Sequence, residues 1–598
     1  MATAEIPRRW AWPALAIVLA GGLLLRLWGI AQGLPYAFNA DEADHFVPKA
    51  VQMFGHDLNP HYFANPPAFT YVLHYLFAVA YGGKAGARHA LAFDPSEVYT
   101  LARIAAAVLG VAALWLLYAT GARLFGRAVG LLAAAIEAVA FLPVFYSHLA
   151  LNDVPTLAPL TLSLLGSAGV LSKGRRRDYV LAGVGLGLAC ASKYTAGIAI
   201  VPLVAVVGAR FLDGNAHAGR DAIVGIAICA AAALLAFFVA NPYSLLDYDA
   251  FHHELVHQST LSAEAQGKLG APRSGGLAYY LWSLTWGLGW LPALAALGGA
   301  IVIWRRGLRY GWMLVPAPLL FLAFMGLQGR YFGRWLLPVF PLLCLLAAVF
   351  VLWGGELLGR LAGRAVSARR RTGDSAAGEA SAGAPRRPRL GLVFAALLGA
   401  AVLAQGLVFS VHSGLVLSRA DTRNVTREWM LANVPAGSKI VAEPVSPDEW
   451  ARERRPGTST ATNDYRWRKY PSLLSRISTT GALLQSGFSI VGIENYERTL
   501  SPALIGYYQG HGYCVVVTGS AQSGRAFADP AQAPLAIAYY RALRAQGEVI
   551  YRLSPYARGK GPVAFNFDWS FDYYPLAYHR PGPTMTVYRL HGPPRCGR

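Results

Sequence analysis

Long apolar runs alternating with short polar turns limit this chain more than any other feature. Runs long enough to span a bilayer, or nearly so, lie around 10–30, 66–83, 98–119, 128–147, 154–172, 179–209, 222–240, 277–303, 311–327, 335–354 and 390–411. A hydrocarbon core of about 30 Å takes roughly 20 helical residues, and only helices or closed barrels satisfy their backbone inside it. The pattern predicts an α-helical polytopic membrane protein. Its charged fraction of 14% fits, since soluble domains carry roughly 25%. The first run follows Arg8 and Arg9 without a small-residue cleavage site, so it reads as a retained helix.

A net charge of +21 raises the question of nucleic acid. The densest basic stretch, Arg360 to Arg389, lies between two apolar runs and reads instead as a cytoplasmic loop facing anionic lipid. Membrane lipids, and not nucleic acid, are the expected partners. Three of the five cysteines, Cys190, Cys229 and Cys344, sit inside apolar runs as small hydrophobes, and pairing of Cys514 with Cys596 stays open.

Charge parity tests the topology. With Arg8 and Arg9 inside, a full crossing at 66–83 would place the turns Arg123 to Arg127 and Lys173 to Arg177 outside, against the positive-inside bias. The conflict disappears if Asn65 to Gly83, which opens on Pro66 and Pro67 and carries His74, is a juxtamembrane or re-entrant helix. Tyr179 to Val207 must then be two short helices meeting near Lys193 and Tyr194. About eleven spans result, with residues 359–389 a basic, disordered cytoplasmic loop. The outer face collects Asp41, Asp153, Lys193, the loop after Asn241 and Arg330 to Arg334.

Past the last run the composition changes. Short β-branched stretches (Lys439 to Ala442, Ser489 to Ile493, Cys514 to Thr518, Val549 to Leu553, Met585 to Leu590) alternate with helical ones such as Thr422 to Ala432 and Pro534 to Gln546. Residues 1–411 are therefore expected to form the membrane domain and 412–598 an extracytoplasmic α/β domain. Trp569, Phe571, Tyr573 and Tyr574 could stack on sugars there, though a β-rich core explains them equally well.

Carboxylates beside a bilayer are costly unless paired, hydrated or metal-bound, which draws attention to Asn39-Ala40-Asp41-Glu42 with Asp44 and His45. The competing reading is a capped, solvated loop. Asp153, ending Ser147-His148-Leu149-Ala150-Leu151-Asn152-Asp153, falls on the same side, and alone it reads as a cap for the next helix. Outer cations run against the topological bias, so Lys193, Arg330 and Arg334 suit an anionic headgroup, while Arg26 fits interfacial snorkelling. Tyr331, Phe332 and Trp335 fit an aromatic belt. His253 and His257 have helical ligand spacing but no His-Glu-x-x-His pattern, so a solvated amphipathic helix is the better reading. A carboxylate beside outward-facing cations suits glycosyl transfer from a polyprenyl phospho-sugar, with the carboxylate as general base on the acceptor and the cations on the departing phosphate.

An ordered set of motifs carries a resemblance. It comprises Asp41-Glu42, Asn65-Pro66-Pro67-Ala68-Phe69, Leu124-Phe125-Gly126-Arg127, Ser147 to Asp153, Gly187-Leu188-Ala189 through Lys193-Tyr194, Asn241-Pro242 and Arg330-Tyr331. Over roughly residues 10 to 350 the chain resembles the GT-C superfamily of integral-membrane glycosyltransferases, in the branch similar to protein O-mannosyltransferases and the lipid A aminoarabinose transferase. The resemblance implies a GT-C fold in the plasma membrane and an inverting transfer. Asp41 would be the base, with Glu42 supporting it or binding the acceptor. Asp153 would orient the site or, with Asp41, bind a divalent metal that the sequence does not require. Lys193, Arg330, Tyr331 and Arg334 would hold the donor phosphate. The sugar and the acceptor, whether protein, lipid or polysaccharide, stay open. The readings set against it are a lipid or saccharide transporter, with ionisable groups near the midplane and inverted repeats, and a non-catalytic cell-wall scaffold.

Overall fold

The computed structural model describes residues 6–591 except 56, 213–215, 265–268, 273–274, 374–387, 445–447, 453–465, 471–492 and 569–573. Within them, eight helices are long and apolar enough to cross a membrane, against the eleven or so spans expected. The difference lies in three short segments. Leu157–Ser172 has 16 residues and Arg176–Ser192 has 17. The run at 128–147 is split into Arg127–Val139 and Phe141–Tyr146 by extended backbone at Ala140.

That split has a visible cause. Pro143 has no N–H to donate four residues back, which leaves the Val139 carbonyl without its helical partner. Ser410 Oγ donates to it instead, at 2.9 Å. The guanidinium of Arg26 takes the neighbouring Ala138 carbonyl at 3.1 Å and its own helix's Gly22 carbonyl at 2.9 Å. Arg26 is therefore not snorkelling to an interface: it is buried, sealing a helix break.

The expected interruption near Lys193 is present. Arg176–Ser192 ends where Lys193 turns extended (φ −157°, ψ 122°), and a 3₁₀ turn, Tyr194–Ala199, leads into Ile200–Phe211. Arg176–Ser192 packs between Leu157–Ser172 and Ala216–Ala240, and its glycines allow the contact. A Cβ on Gly183 or Gly187 would collide with the carbonyls of Cys229 and Ala233, as small-residue helix interfaces require. Ala68–Tyr81, with 14 residues or about 21 Å of helix, is too short to span alone. Its His74 is buried, with Nδ1 2.9 Å from the Ala50 carbonyl.

The basic turns gather as parity groups them. Arg123 pairs with Asp178 at 2.8 Å, Arg127 donates to the Ile6 carbonyl, and Arg210 donates to that of Val170. Not all of 359–389 is loop, however, because the helix Phe340–Gly373 continues into it and the next begins at Pro388. Alanine and arginine are strong helix formers, which favours that extension. Residues 374–387 lie outside the described residues.

After Pro388–Leu417 and a helix at Thr422–Asn433 comes a five-stranded sheet: β1 Lys439–Ala442, β2 Arg468–Lys469, β3 Tyr513–Gly519, β4 Gly547–Leu553 and β5 Met585–Leu590. Its order is β2-β1-β3-β5-β4, with β1 parallel to β2 and β3 and the other pairs antiparallel. The strand expected at Ser489 to Ile493 falls mostly outside the described residues, and Ile493 opens a 3₁₀ turn, Ile493–Thr499. Cys514 is disulfide-bonded and Cys190, Cys229 and Cys344 are free; Cys596 lies outside the described residues.

Candidate active site

Asn39 performs the capping role foreseen for the acidic loop, accepting the Glu42 N–H at 3.2 Å on Oδ1. The chain then enters a five-residue π turn, Glu42–Phe46, which sends the two adjacent carboxylates to different places. Glu42 is fully buried. Arg103 grips it with Nε on Oε1 at 2.7 Å and Nη2 on Oε2 at 2.8 Å, and the Ala150 N–H adds a third bond at 2.8 Å. The third arm of Arg103, Nη1, donates to the carbonyls of Ile30 and Gln32. The one signal for Arg103 in the sequence is its charge inside a long apolar helix.

Asp41 instead lines a cavity of about 1200 Å³ together with Asp153, Lys193 and Arg334. Arg334 Nη2 donates to Asp41 Oδ2 at 2.6 Å, and its Nε lies 3.9 Å from Asp153 Oδ2. Lys193 Nζ is bonded to Asp153 Oδ1. Two carboxylates and two cations thus form one chain of contacts, Asp41–Arg334–Asp153–Lys193, built from segments distant in sequence. Asp153 does not cap the following helix, whose N-cap is Thr156. Its neighbour Asn152, also lining the cavity, donates to the Ser192 carbonyl at 2.6 Å and ties the Asp153 turn to the helix end before Lys193.

Arg334 stands in the 3₁₀ turn Gly333–Val339, against the rings of Phe332 and Tyr146. Asp568, from the sheet-bearing part of the chain, accepts the Gly333 N–H at 3.2 Å. Burial pushes the Asp568 carboxyl upward, countered by the Tyr279 hydroxyl, by that N–H and by the charge of Arg334. Arg330 and Tyr331 are not among the cavity-lining residues. The Tyr331 hydroxyl donates to the Pro272 carbonyl, and the Arg330 N–H faces the Ser262 carbonyl at 3.3 Å, so they brace the segment that presents Arg334.

A further stretch of the wall is Tyr62 to Pro66. Glu254 holds it by accepting the N–H groups of Phe63 and, at 2.8 Å, Ala64, while Tyr194 donates to the Phe63 carbonyl. His45 stacks on Tyr62 at 4.5 Å. Burial raises the Tyr62 phenol well above its ordinary range, so it stays a neutral donor. His252, His253 and His257 lie on the helix Tyr248–Ala263 that carries Glu254, with none of them buried. Among the described residues no group of three or more His, Cys, Asp or Glu side chains could hold a metal. Asp41 and Asp153 are two ligands only, each already facing a cation, so the donor set fits a divalent ion poorly.

Residues 96–244 match the family described as dolichyl-phosphate-mannose-protein mannosyltransferase. Among solved structures, the oligosaccharyltransferase AglB of Archaeoglobus fulgidus, in complex with an inhibitory peptide and a dolichol-phosphate, aligns with a TM-score of 0.51 at 13% identity, over 91% of this chain and 73% of its own. ArnT from Cupriavidus metallidurans bound to undecaprenyl phosphate aligns at 0.45 and 14%, over 97% and 98%. No curated protein matches the chain. The fold resemblance read from the sequence is borne out, and the chain has the GT-C glycosyltransferase fold.

Proposed function

We propose, from the premise that this is a membrane protein of the GT-C glycosyltransferase fold, that it moves a sugar from a polyprenyl-phosphate donor to an acceptor hydroxyl. Transfer would occur at the outer face of the plasma membrane, with inversion. Residues 1–411 are the membrane domain, and 412–598 close the site from the extracytoplasmic side. The observation that carries this reading is the Asp41–Arg334–Asp153–Lys193 chain inside one large cavity. Transporter chemistry would ask for ionisable groups near the bilayer midplane; here they sit at helix ends, in the cavity shared with the sheet-bearing part.

Arg334 and Lys193 bind the donor phosphate, a task suited to a guanidinium and an ammonium. Before donor arrives, Arg334 is held on Asp41, whose Oδ2 accepts its Nη2 hydrogen bond. The phosphate competes for that guanidinium and frees the carboxylate. Asp41 then accepts the acceptor O–H proton as the acceptor oxygen bonds to the anomeric carbon. The bond from that carbon to the phosphate oxygen breaks, its electron pair leaving with polyprenyl phosphate. The added negative charge falls between Lys193 and Arg334 as Asp41 becomes neutral, so the site stays balanced. Asp153 positions Lys193. Glu42, with both oxygens committed to Arg103 and the Ala150 N–H, supports the loop and does not touch substrate.

The test is transfer from a labelled synthetic polyprenyl-phosphate sugar by the purified chain in lipid nanodiscs. Label entering an acceptor from a membrane extract supports the reading. No transfer from any of a set of hexosyl and pentosyl donors contradicts it.

A further inference from the structure

The cavity does not end at the carboxylates. It runs under the sheet, and its far wall has a composition unlike the donor end. Thr518 of β3 pairs with Thr586 of β5, and Thr586 pairs with Arg552 of β4. All three line the cavity, so one row of polar side chains crosses three strands on the face turned toward it. Arg544 joins them from the helix Pro534–Gln546, lying over the Phe527 ring at 5.4 Å. Both arginines are exposed, and no carboxylate among the described residues pairs with either.

A second, independent feature is Gln522, in the helix Ser520–Ala528 that leaves the end of β3. It is about 95% buried, at 5% exposure, yet lines the cavity. Its amide nitrogen donates to the Pro444 carbonyl, while Oε1 has no partner among the described residues. A buried acceptor left open is costly unless a donor arrives. Behind it, Glu443 accepts the Gly519 N–H and the Tyr540 hydroxyl, so that carboxylate is committed to holding the turn. Tyr556 and Tyr578, edge to face at 4.9 Å, supply aromatic surface on the same wall.

We propose that this wall is the acceptor subsite, and that the acceptor is an acidic glycan. The inference rests on the transferase reading above and adds the acceptor's chemical class. Sugar hydroxyls donate to Gln522 Oε1 and exchange hydrogen bonds with the threonine row. Their C–H faces lie on tyrosine rings. Carboxylate or phosphate substituents meet Arg544 and Arg552, which no carboxylate among the described residues pairs with. The acidic end of the glycan thus anchors at the sheet while a hydroxyl reaches Asp41.

The test uses the full chain in nanodiscs and three fluorescent probes: a hexamer of galacturonic acid, the neutral hexamer of glucose, and a Ser/Thr-rich peptide. The acidic hexamer should bind at least about tenfold tighter than the neutral one. Its affinity should fall with salt, and drop by about tenfold or more in the double variant Arg544→Gln, Arg552→Gln. Equal binding of the two hexamers, an unchanged double variant, or binding of the peptide alone overturns the proposal. Donor binding is measured in parallel: if a polyprenyl-phosphate sugar binds but the acidic hexamer does not, only the acceptor inference fails. If no donor binds, the transferase reading fails, whatever the hexamers do.

Discussion

At the residue scale, Asp41 and Glu42 separate two roles that adjacent positions conceal. The sequence places both beside the membrane, and one π turn decides which faces the cavity. The Glu42–Arg103 pair is buried and doubly bonded, so removing one partner strands a charge. Glu42→Gln or Arg103→Met should lower stability by about 3–5 kcal/mol, while the double apolar replacement Glu42→Met, Arg103→Met should recover much of it. Thermal unfolding of the four proteins in detergent measures this. Asp41 could be found from sequence because a carboxylate beside a bilayer needs a partner, Asp153 because it falls on the same side, and Lys193 because a cation on the outer side calls for a cause. Arg103 shows in the sequence only as a charge inside an apolar run, and the fold alone reveals that its partner is Glu42, 61 residues away. Arg330 and Tyr331 were legible only as a cluster: Arg330 and Arg334 are four positions apart, and the 3₁₀ turn alone selects which cation faces the cavity.

At the element scale, interruptions place the chemistry. The break at Lys193 was readable, since parity required two helices where the apolar run suggested one. The break at Ala140 was not, although Pro143 marks it, because the carbonyls it frees are taken by Arg26 and Ser410 from other helices. Asp568 holds the turn that carries Arg334, so on the proposed reading it would act as a positioning residue for the donor phosphate. Asp568→Ala should weaken donor binding by roughly 10–100-fold, the scale of a misplaced binding group. Asp568→Asn keeps an oxygen for the Gly333 N–H and should restore most of the affinity. Donor titrations of both variants check this, and a stability loss without a change in donor affinity would assign Asp568 a packing role only.

At the scale of the whole molecule, the sheet-bearing part encloses one side of the cavity instead of forming a separate appendage. Its strands at β1, β3, β4 and β5 were legible from β-branched runs. Its contribution to the cavity was not, because the lining is assembled from loops, two short helices and one face of a sheet. Trp569, Phe571 and Tyr573 lie outside the described residues, while Tyr574 lines the cavity. The same part carries a pH-sensitive group. Burial raises the Glu497 carboxyl to about 7, opposed by the charges of Arg525 and Arg498. A carboxyl whose folded pKa exceeds its unfolded value near 4.5 stabilises the fold fully below about 4.5, and that contribution is lost as pH rises through about 7. The melting temperature should therefore fall between pH 5 and 8, and Glu497→Gln should flatten that slope.

On the proposed reading, one cavity separates a base, Asp41, from a phosphate holder, Lys193 with Arg334. That separation is tested most directly by measuring donor affinity and single-turnover transfer rate side by side in wild type, Asp41→Asn and Lys193→Met. Asp41→Asn should lose roughly 10²–10⁴-fold in rate while binding donor as well as wild type or better, since Arg334 is no longer held by the Asp41 carboxylate. Lys193→Met should instead lose donor affinity. Wild-type transfer by Asp41→Asn, or a loss in that variant explained wholly by weaker donor binding, would contradict the account.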